Sequence, residues 1–304
     1  VTVTFAEDVY NATGGSGDLE VGDFALSISG TGGVATIGSA TPTSIVKTSQ
    51  TVWVLGFSTS GIANGSETIS VVPVLNSIYD QAGNAAATSQ SSNTVGLNDK
   101  AVPIILNATS NFNNTEMTIT FSENVYNTNG GSGLLQVGDF ALSISGGAAT
   151  IVAATPESIS KTSQSVWVLG YSTSGTPDGF ETITVVPIDD SIYDVAGNEA
   201  STSQFNNTNG LNEKVLPVIA STTVNSDNSK LTVTFAENVY NATRASGDLE
   251  VGDFALSVSG GVATIGSATP TSITALPVTS KSVWVLGFNT SGIANGSEII
   301  SVVP

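Results

Sequence analysis

Residues 140–145 read Phe-Ala-Leu-Ser-Ile-Ser, and this stretch decides the fold class. The apolar side chains of Phe140, Leu142 and Ile144 alternate with small or polar ones. A period of two is that of a β-strand with one face in the core and the other in water. Residues 117–121, Met-Thr-Ile-Thr-Phe, alternate in the same way. We therefore predict an all-β chain whose core includes Phe140, Leu142 and Ile144.

The chain contains three copies of one unit. Thr-Val-Thr-Phe-Ala-Glu at residues 2–7 returns as Thr-Ile-Thr-Phe-Ser-Glu at 118–123 and unchanged at 232–237. A period of about 115 residues is too long for a solenoid repeat and fits one domain per copy. The sequence therefore predicts three domains, called copies 1, 2 and 3 below, which are residues 1–98, residues 99–212 and residues 213–304.

Copy 2 is the complete unit. Copy 1 has no counterpart of residues 102–116, and copy 3 has none of residues 188–211. We expect the chain to continue beyond both ends or a neighbouring chain to supply these strands. In copy 2, residues 182–185 alternate in the same way as residues 117–121 and 140–145. Further strand-like runs of this copy lie near residues 102–107, 148–153, 165–171 and 199–205.

About seven strands in one such copy are typical of an immunoglobulin-like β-sandwich. Strands of 7–10 residues give a domain roughly 25–40 Å long. Three domains joined end to end predict an elongated rod of the order of 100 Å.

Composition excludes several classes of function. The chain is 40% hydrophobic and 11% charged, which excludes a classical disordered protein. Its net charge of −18, with seven basic residues, makes nucleic acid an unsuitable partner. No apolar run is long enough to span a membrane, so no membrane insertion is expected in this segment. No disulfide can form, because cysteine is absent.

Catalysis has no evident basis in this sequence. Histidine and cysteine, the usual bases and nucleophiles near neutral pH, are both absent. The adjacent carboxylates Asp189 and Asp190 have Leu75 and Asn76 as counterparts in copy 1, which excludes a site common to all copies. We therefore expect that the chain is not an enzyme.

An Asp-x-Ala-Gly-Asn element begins at Asp80 in copy 1 and at Asp194 in copy 2. An aspartate at this position opens a turn by accepting hydrogen bonds from its own backbone, and Gly83 or Gly197 takes the left-handed conformation that follows. The functional alternative makes Asp80 and Asp194 ligands of Ca²⁺, which prefers hard oxygen donors. The two roles are compatible.

Carboxylates also lie where two copies meet. The junctions carry Asp99 and Glu213, each followed by a lysine. Glu7 and Glu123 follow a strand whose end could approach such a junction. A bridging Ca²⁺ would turn a flexible joint into a stiff one, whereas the alternative is an ordinary solvated linker with a weak ion pair. The sequence thus makes Ca²⁺ at the domain junctions the one cofactor to test for.

The tryptophans and the asparagines each allow two interpretations. Trp53, Trp167 and Trp284 recur in Val-Trp-Val-Leu-Gly, where burial is favoured over stacking on a sugar. Asn-x-Ser/Thr triplets would carry glycans in a eukaryotic secretory pathway and would be inert in most bacteria. These triplets begin at Asn11, Asn64, Asn107, Asn113, Asn206, Asn241, Asn289 and Asn295.

The repeat resembles a known family. Thr-Val-Thr-Phe-x-Glu, Val-Gly-Asp-Phe-Ala-Leu-Ser, Glu-Thr-Ile and Ile-Tyr-Asp-x-Ala-Gly-Asn, in this order, are similar to the bacterial immunoglobulin-like repeats of large surface proteins and adhesins, including cyanobacterial swimming proteins. The resemblance implies an extracellular, cell-surface array whose partners are neighbouring copies of the repeat or chain in a fibre. We expect a stiff, non-catalytic shaft or spacer. The alternative is an adhesion module that binds surface glycans or a receptor.

The loops at residues 14–17, 130–133 and 244–247 differ between the copies. A binding module repeated three times would place recurrent aromatic and polar clusters in such loops. Their small, varied residues therefore favour the shaft over the adhesion module.

Overall fold

The computed structural model describes residues 1–243 and 245–304; Arg244, in one of the variable stretches, lies outside them. The described residues form short strands, single 3₁₀ turns and loops, so the prediction of an all-β chain is confirmed. No helix among them is long and apolar enough to cross a bilayer.

The strands of copy 1 pair antiparallel and are β1 (Thr2–Thr4), β2 (Phe24–Ser29), β3 (Thr36–Ile37), β4 (Ser44–Lys47), β5 (Val52–Gly56), β6 (Thr59–Ser60), β7 (Thr68–Pro73) and β8 (Thr94–Gly96). They form sheets in the orders β1-β5-β4, β2-β7-β8 and β3-β6. A 3₁₀ turn, Val21–Asp23, leads into β2.

The strands of copy 2 are β9 (Ile105–Ser110), β10 (Glu116–Phe121), β11 (Phe140–Ser145), β12 (Thr150–Ile151), β13 (Ser158–Lys161), β14 (Val166–Gly170), β15 (Thr173–Ser174), β16 (Thr182–Pro187) and β17 (Thr208–Gly210). Their sheets are ordered β13-β14-β10-β9, β11-β16-β17 and β12-β15. The 3₁₀ turn here is Val137–Asp139. Copy 2 thus has a fourth strand, β9, beside the counterpart of β1.

The strands of copy 3 are β18 (Ile219–Val224), β19 (Lys230–Phe235), β20 (Ala255–Ser259), β21 (Thr264–Ile265), β22 (Ser272–Ala275), β23 (Val283–Gly287), β24 (Thr290–Ser291) and β25 (Ile299–Val303), with a 3₁₀ turn at Val251–Asp253. The sheets run β18-β19-β23-β22, β20-β25 and β21-β24.

The core of copy 2 lies between its two larger sheets. Phe140 and Leu142 of β11 are 1% and 2% exposed, and Ile144 packs against the same buried cluster, which confirms the predicted inward face. The ring of Phe140 lies 6.4 Å from that of Phe121, which belongs to the other sheet. Each copy contains its own buried cluster of this kind. The alternating strands therefore serve to bury one face of each sheet against the other.

The last predicted strand of copy 2 was misplaced. Residues 199–205 form only an isolated bridge, between Glu199 and Tyr193, and the strand that closes the sheet is β17. The apolar signal at Ala200 arises because this residue is buried in the core, with its N–H donated to the Ile192 carbonyl. A buried apolar residue in a loop therefore gave the same sequence pattern as a strand residue. The short strands β13 and β15 were not predicted.

The chain divides into two compact units, residues 1–214 and residues 215–304. The division falls two residues after the predicted start of copy 3, while copies 1 and 2 lie together in the first unit. The division into three domains stays a prediction.

Candidate metal centre

Asp194 is fixed by the turn that the sequence predicts. Its two carboxylate oxygens accept hydrogen bonds from the backbone N–H and the side-chain amide of Asn198, both at 2.8 Å. Gly197 has a φ of 91°, the left-handed conformation that glycine adopts without strain. Asp80 makes the same contacts with Asn84. The turn interpretation is confirmed in both copies, and Asp194 is completely buried.

Asp99 lies in the connection that leads into copy 2 and is held against copy 1. Its Oδ1 accepts the N–H of Ala101 at 2.9 Å. The N–H groups of Lys100 and Ala101 both donate to the carbonyl of Ala63, a loop residue of copy 1. A side chain on Gly65 would come within 3.3 Å of the Asp99 Cβ. The carboxylate is therefore positioned by backbone contacts with the preceding copy.

Glu123 follows β10, at the point where the connection meets copy 2. The N–H of Ser122 donates to the Ile104 carbonyl at 2.8 Å, and the Ile104 N–H donates to the Ser122 Oγ at 3.1 Å. These two hydrogen bonds tie the end of β10 to the connecting segment. Glu123 is consequently placed beside Asp99.

The three carboxylates form one cluster. One oxygen from each of Asp99, Glu123 and Asp194 lies within 4.8 Å of the others. Two oxygens bound to the same Ca²⁺ at about 2.3–2.6 Å are at most about 5 Å apart, so this spacing fits one ion. The donors are all hard oxygens and supply between three and six of the six to eight ligands that Ca²⁺ takes. The residues present therefore fit a calcium ion completed by water or carbonyl oxygens.

The cluster perturbs the proton affinity of its central member. Burial, and next the negative charges of Asp194 and Asp99, raise the pKa of Glu123 to about 7. Without a cation, three carboxylates at this distance repel one another, and holding a proton on Glu123 relieves the repulsion. A bound cation would relieve it instead and would release that proton.

The other predicted calcium ligands do not join this cluster. In the described part of the chain, Asp80, Glu7 and Glu213 belong to no group of three or more possible ligands. Glu7 and Glu213 are exposed, and Asp80 is half-buried. Hydrogen bonds from the side chain and backbone of Asn84 lower the pKa of Asp80. The structure thus brings together one ligand from the junction, one from a strand end and one from the Asp-x-Ala-Gly-Asn turn.

Glu181 forms a second carboxylate site, which the sequence analysis does not predict. Glu181, directly before β16, is 1% exposed. Its carboxylate accepts N–H groups from Ala148 at 2.9 Å and Ala149 at 2.8 Å, and from Asp178 and Gly179 at 3.0 Å each. Although burial raises its pKa, these donors outweigh that effect and lower the pKa of Glu181 to about 2.

Glu67 and Glu298 bind the corresponding loops of their copies. The recurrence of Glu before each of these strands was the signal available in the sequence. These glutamates hold loops in place by accepting hydrogen bonds from backbone N–H groups. Their carboxylate oxygens are used in this way and do not indicate a ligand-binding site.

The recurrent tryptophans are core residues. Trp53, Trp167 and Trp284 are 1–2% exposed, and each indole N–H donates to a backbone carbonyl. Burial, the favoured interpretation, is confirmed, and these rings are not accessible to a sugar. Of the asparagines in glycosylation triplets, two are half-buried, Asn11 and Asn64, and the others are exposed: Asn107, Asn113, Asn206, Asn241, Asn289 and Asn295.

Neither a protein-family model nor a curated protein matches this chain. The resemblance to immunoglobulin-like surface repeats therefore stays a prediction.

Proposed function

We propose that this chain is a non-catalytic shaft or spacer segment of an extracellular surface filament or adhesin. In this proposal each copy is an immunoglobulin-like β-sandwich, the copies follow one another as an elongated rod, and the partners are neighbouring copies of the repeat. The observation that carries it is the threefold repetition of one buried core, in which Phe24, Phe140 and Phe254 occupy the same place. A shaft benefits from repetition because each added copy makes it longer, whereas a recognition site needs only one specialised copy.

The adhesion module has less support. Recurrent aromatic residues could provide a sugar-binding platform. One tryptophan recurs in every copy, and all three of its occurrences are buried: Trp53, Trp167 and Trp284. Their indole N–H groups already have backbone partners. The spacer is therefore the function that the side chains favour.

Calcium is proposed as the stiffening element. Asp99 is the first residue of copy 2 and lies in the connecting segment that is anchored on copy 1, while Glu123 and Asp194 lie in the body of copy 2. An ion bound by all three would join the connection to the body of copy 2. It would also remove the repulsion among the three carboxylates. The expected consequence is a joint that bends less and a first unit that unfolds at a higher temperature.

Small-angle X-ray scattering of the 304-residue chain tests the shaft. A rod of about 100 Å has a radius of gyration of about 29 Å, whereas a compact globule of this length has about 19 Å. We expect the larger value in millimolar Ca²⁺ and broader distance distributions in EDTA. A radius near 19 Å in both buffers would contradict the rod, and identical curves with and without Ca²⁺ would remove the stiffening role.

The pKa of Glu123 gives a second prediction. In EDTA, the folded unit holds a proton on Glu123 up to a pH of about 7, whereas the unfolded chain loses it near 4.5. Stability is therefore lost as the pH rises from about 4.5 to about 7. We expect Glu123→Gln to melt above the wild type at pH 8 in EDTA and close to it at pH 4. In Ca²⁺ the order at pH 8 should reverse, because the variant loses a ligand.

Glu213→Gln is the matched control for that melting experiment. Glu213 is an exposed carboxylate in the same unit and lies outside the cluster. Its variant should follow the wild type in both buffers. If Glu123→Gln and Glu213→Gln gave the same melting temperatures at every pH, the carboxylate cluster would have no energetic role.

A further inference from the structure

Copy 2 carries an Asn-Gly dipeptide in a loop that faces water. Asn129 and Gly130 are both exposed and lie in the turn that joins Thr128 to Ser132. The Thr128 hydroxyl donates to the Ser132 carbonyl, which closes the turn. A backbone nitrogen that follows an asparagine can attack the side-chain amide. Glycine leaves this nitrogen unhindered, because it has no Cβ.

The two reacting groups of this dipeptide are unrestrained. Within residues 1–243 and 245–304, neither the side-chain amide of Asn129 nor the N–H of Gly130 has a hydrogen-bond partner. A Cβ on Gly130 would meet no other atom within 4 Å, so the space around the residue is open. The Asn129 side chain can therefore turn onto the Gly130 nitrogen without losing a hydrogen bond.

The same dipeptide occurs at three other places in the sequence, at Asn64, Asn209 and Asn295. Asn209 belongs to β17, and its Oδ1 accepts the Ser110 N–H at 2.9 Å. The Asn64 side chain accepts the Ser66 N–H at 3.2 Å and donates to a backbone carbonyl at 3.0 Å. Both side chains are thus held by hydrogen bonds.

Copy 3 restrains its dipeptide through the backbone nitrogen as well. The N–H of Gly296 donates to the Glu298 carboxylate at 3.1 Å, while the Asn295 side chain accepts the Ser297 N–H at 3.0 Å. The attacking nitrogen has to lose its proton and meet the side-chain carbon, so these hydrogen bonds must break first. Among the described residues, the four copies of one dipeptide therefore differ in their restraint, and Asn129 has the least.

The Asn129 side chain lies against the turn that holds Asp194. A Cβ on Gly197, in that turn, would overlap the Asn129 Oδ1. A Cβ on Gly131 would come within 2.7 Å of the Val195 side chain, in the same turn. A carboxylate at residue 129 would therefore add negative charge beside the turn whose aspartate belongs to the carboxylate cluster.

We propose that Asn129 is a modification site, which reacts with water without an enzyme and becomes aspartate or isoaspartate. The Gly130 nitrogen gives its proton to hydroxide and forms a bond to the Asn129 Cγ. The bond from Cγ to Nδ2 breaks, and that nitrogen takes a proton from water and leaves as ammonia. A cyclic imide remains.

Water then opens the imide at either of its two C–N bonds. Opening at Cγ gives aspartate, whereas opening at the main-chain carbonyl gives isoaspartate, which adds one carbon to the backbone of the turn. The net reaction consumes one water and releases one ammonia. Both products carry a carboxylate where the chain had a neutral amide.

Peptide mass spectrometry of the folded 304-residue chain, kept at pH 8 and sampled over time, tests the site. Conversion at Asn129 should be at least about tenfold faster than at Asn64, Asn209 or Asn295, the ratio expected where two hydrogen bonds must break before the reaction. Its rate should rise with pH, because the Gly130 nitrogen has to lose a proton. In the chain unfolded by guanidinium chloride, all four sites should react at similar rates.

Asn129→Thr is the matched control, because Thr13 and Thr243 occupy this position in the other copies. The variant should melt with the wild type, and ion exchange should show that it forms less of the acidic product during incubation. Equal rates at the four sites of the folded chain would overturn the proposal, as would a faster reaction at one of the other three. So would an Asn129 that stays intact in the folded chain while the unfolded chain reacts. The inference is independent of the proposed shaft, since the reaction needs only the fold of copy 2.

Discussion

Replacing Phe140 by alanine should lower the free energy of unfolding of the first unit by about 3–5 kcal/mol. Phe140 is 1% exposed and lies between the two larger sheets of copy 2, where its ring contacts that of Phe121. The loss combines the transfer of a phenyl ring to water in the unfolded chain with the cavity that remains in a packed core. Chemical denaturation followed by tryptophan fluorescence measures it, because Trp167 belongs to the same cluster.

Phe205→Ala is the control for this substitution. It removes the same atoms from a side chain that is 94% exposed, so it should change the free energy of unfolding by less than about 0.5 kcal/mol. A similar loss for both variants would show that the inward face of β11 does not form the core. The two-sheet arrangement of copy 2 would then have to be abandoned.

The strand that contains Phe140 could be predicted because its signal is local. A strand side chain points to the opposite face from its neighbours, so alternation in six residues specifies which face is buried. The strand predicted near residues 199–205 was wrong because the cause of burial there is not local. Ala200 is buried as a member of the core cluster of copy 2, and composition alone does not distinguish a buried loop residue from a strand residue.

The carboxylate cluster was only partly accessible to sequence reasoning. The turn chemistry at Asp194 and the junction position of Asp99 are local features, and both residues were proposed as ligands. That Glu123 completes the group depends on the hydrogen bonds between Ser122 and Ile104, which bring a strand end to the connection. The same reasoning named Glu7 and Glu213, which belong to no such group in the described residues.

The recurrence of a glutamate at the position of Glu181 is visible in the sequence, but its role could not be predicted, since its partners Ala148 and Ala149 lie more than 30 residues away in the chain. Its carboxylate replaces water for the N–H groups of two loops at once. A buried acceptor of several backbone donors stabilises the fold only while it is ionised.

Glu181→Gln should lower the free energy of unfolding by about 3 kcal/mol at pH 7, because an amide nitrogen then faces backbone N–H donors and the charge is lost. The pKa of Glu181 is about 2 in the folded state and about 4.5 in the unfolded chain. The ionised form therefore stabilises the fold fully above pH 4.5, and this contribution is lost as the pH falls towards 2. Denaturation curves at pH 7 and near pH 2.5 should show the two proteins converging.

Glu298→Gln is the control that distinguishes the effect of burial from that of the hydrogen bonds alone. Glu298 accepts the equivalent N–H groups in copy 3, and hydrogen bonds from Ala263 and Val262 lower its pKa to about 2 as well. It is half-exposed rather than buried, so water replaces the lost hydrogen bonds and the variant should cost less than Glu181→Gln. If Glu181→Gln kept a constant deficit down to pH 2.5, its effect would come from packing and not from the charge of the carboxylate.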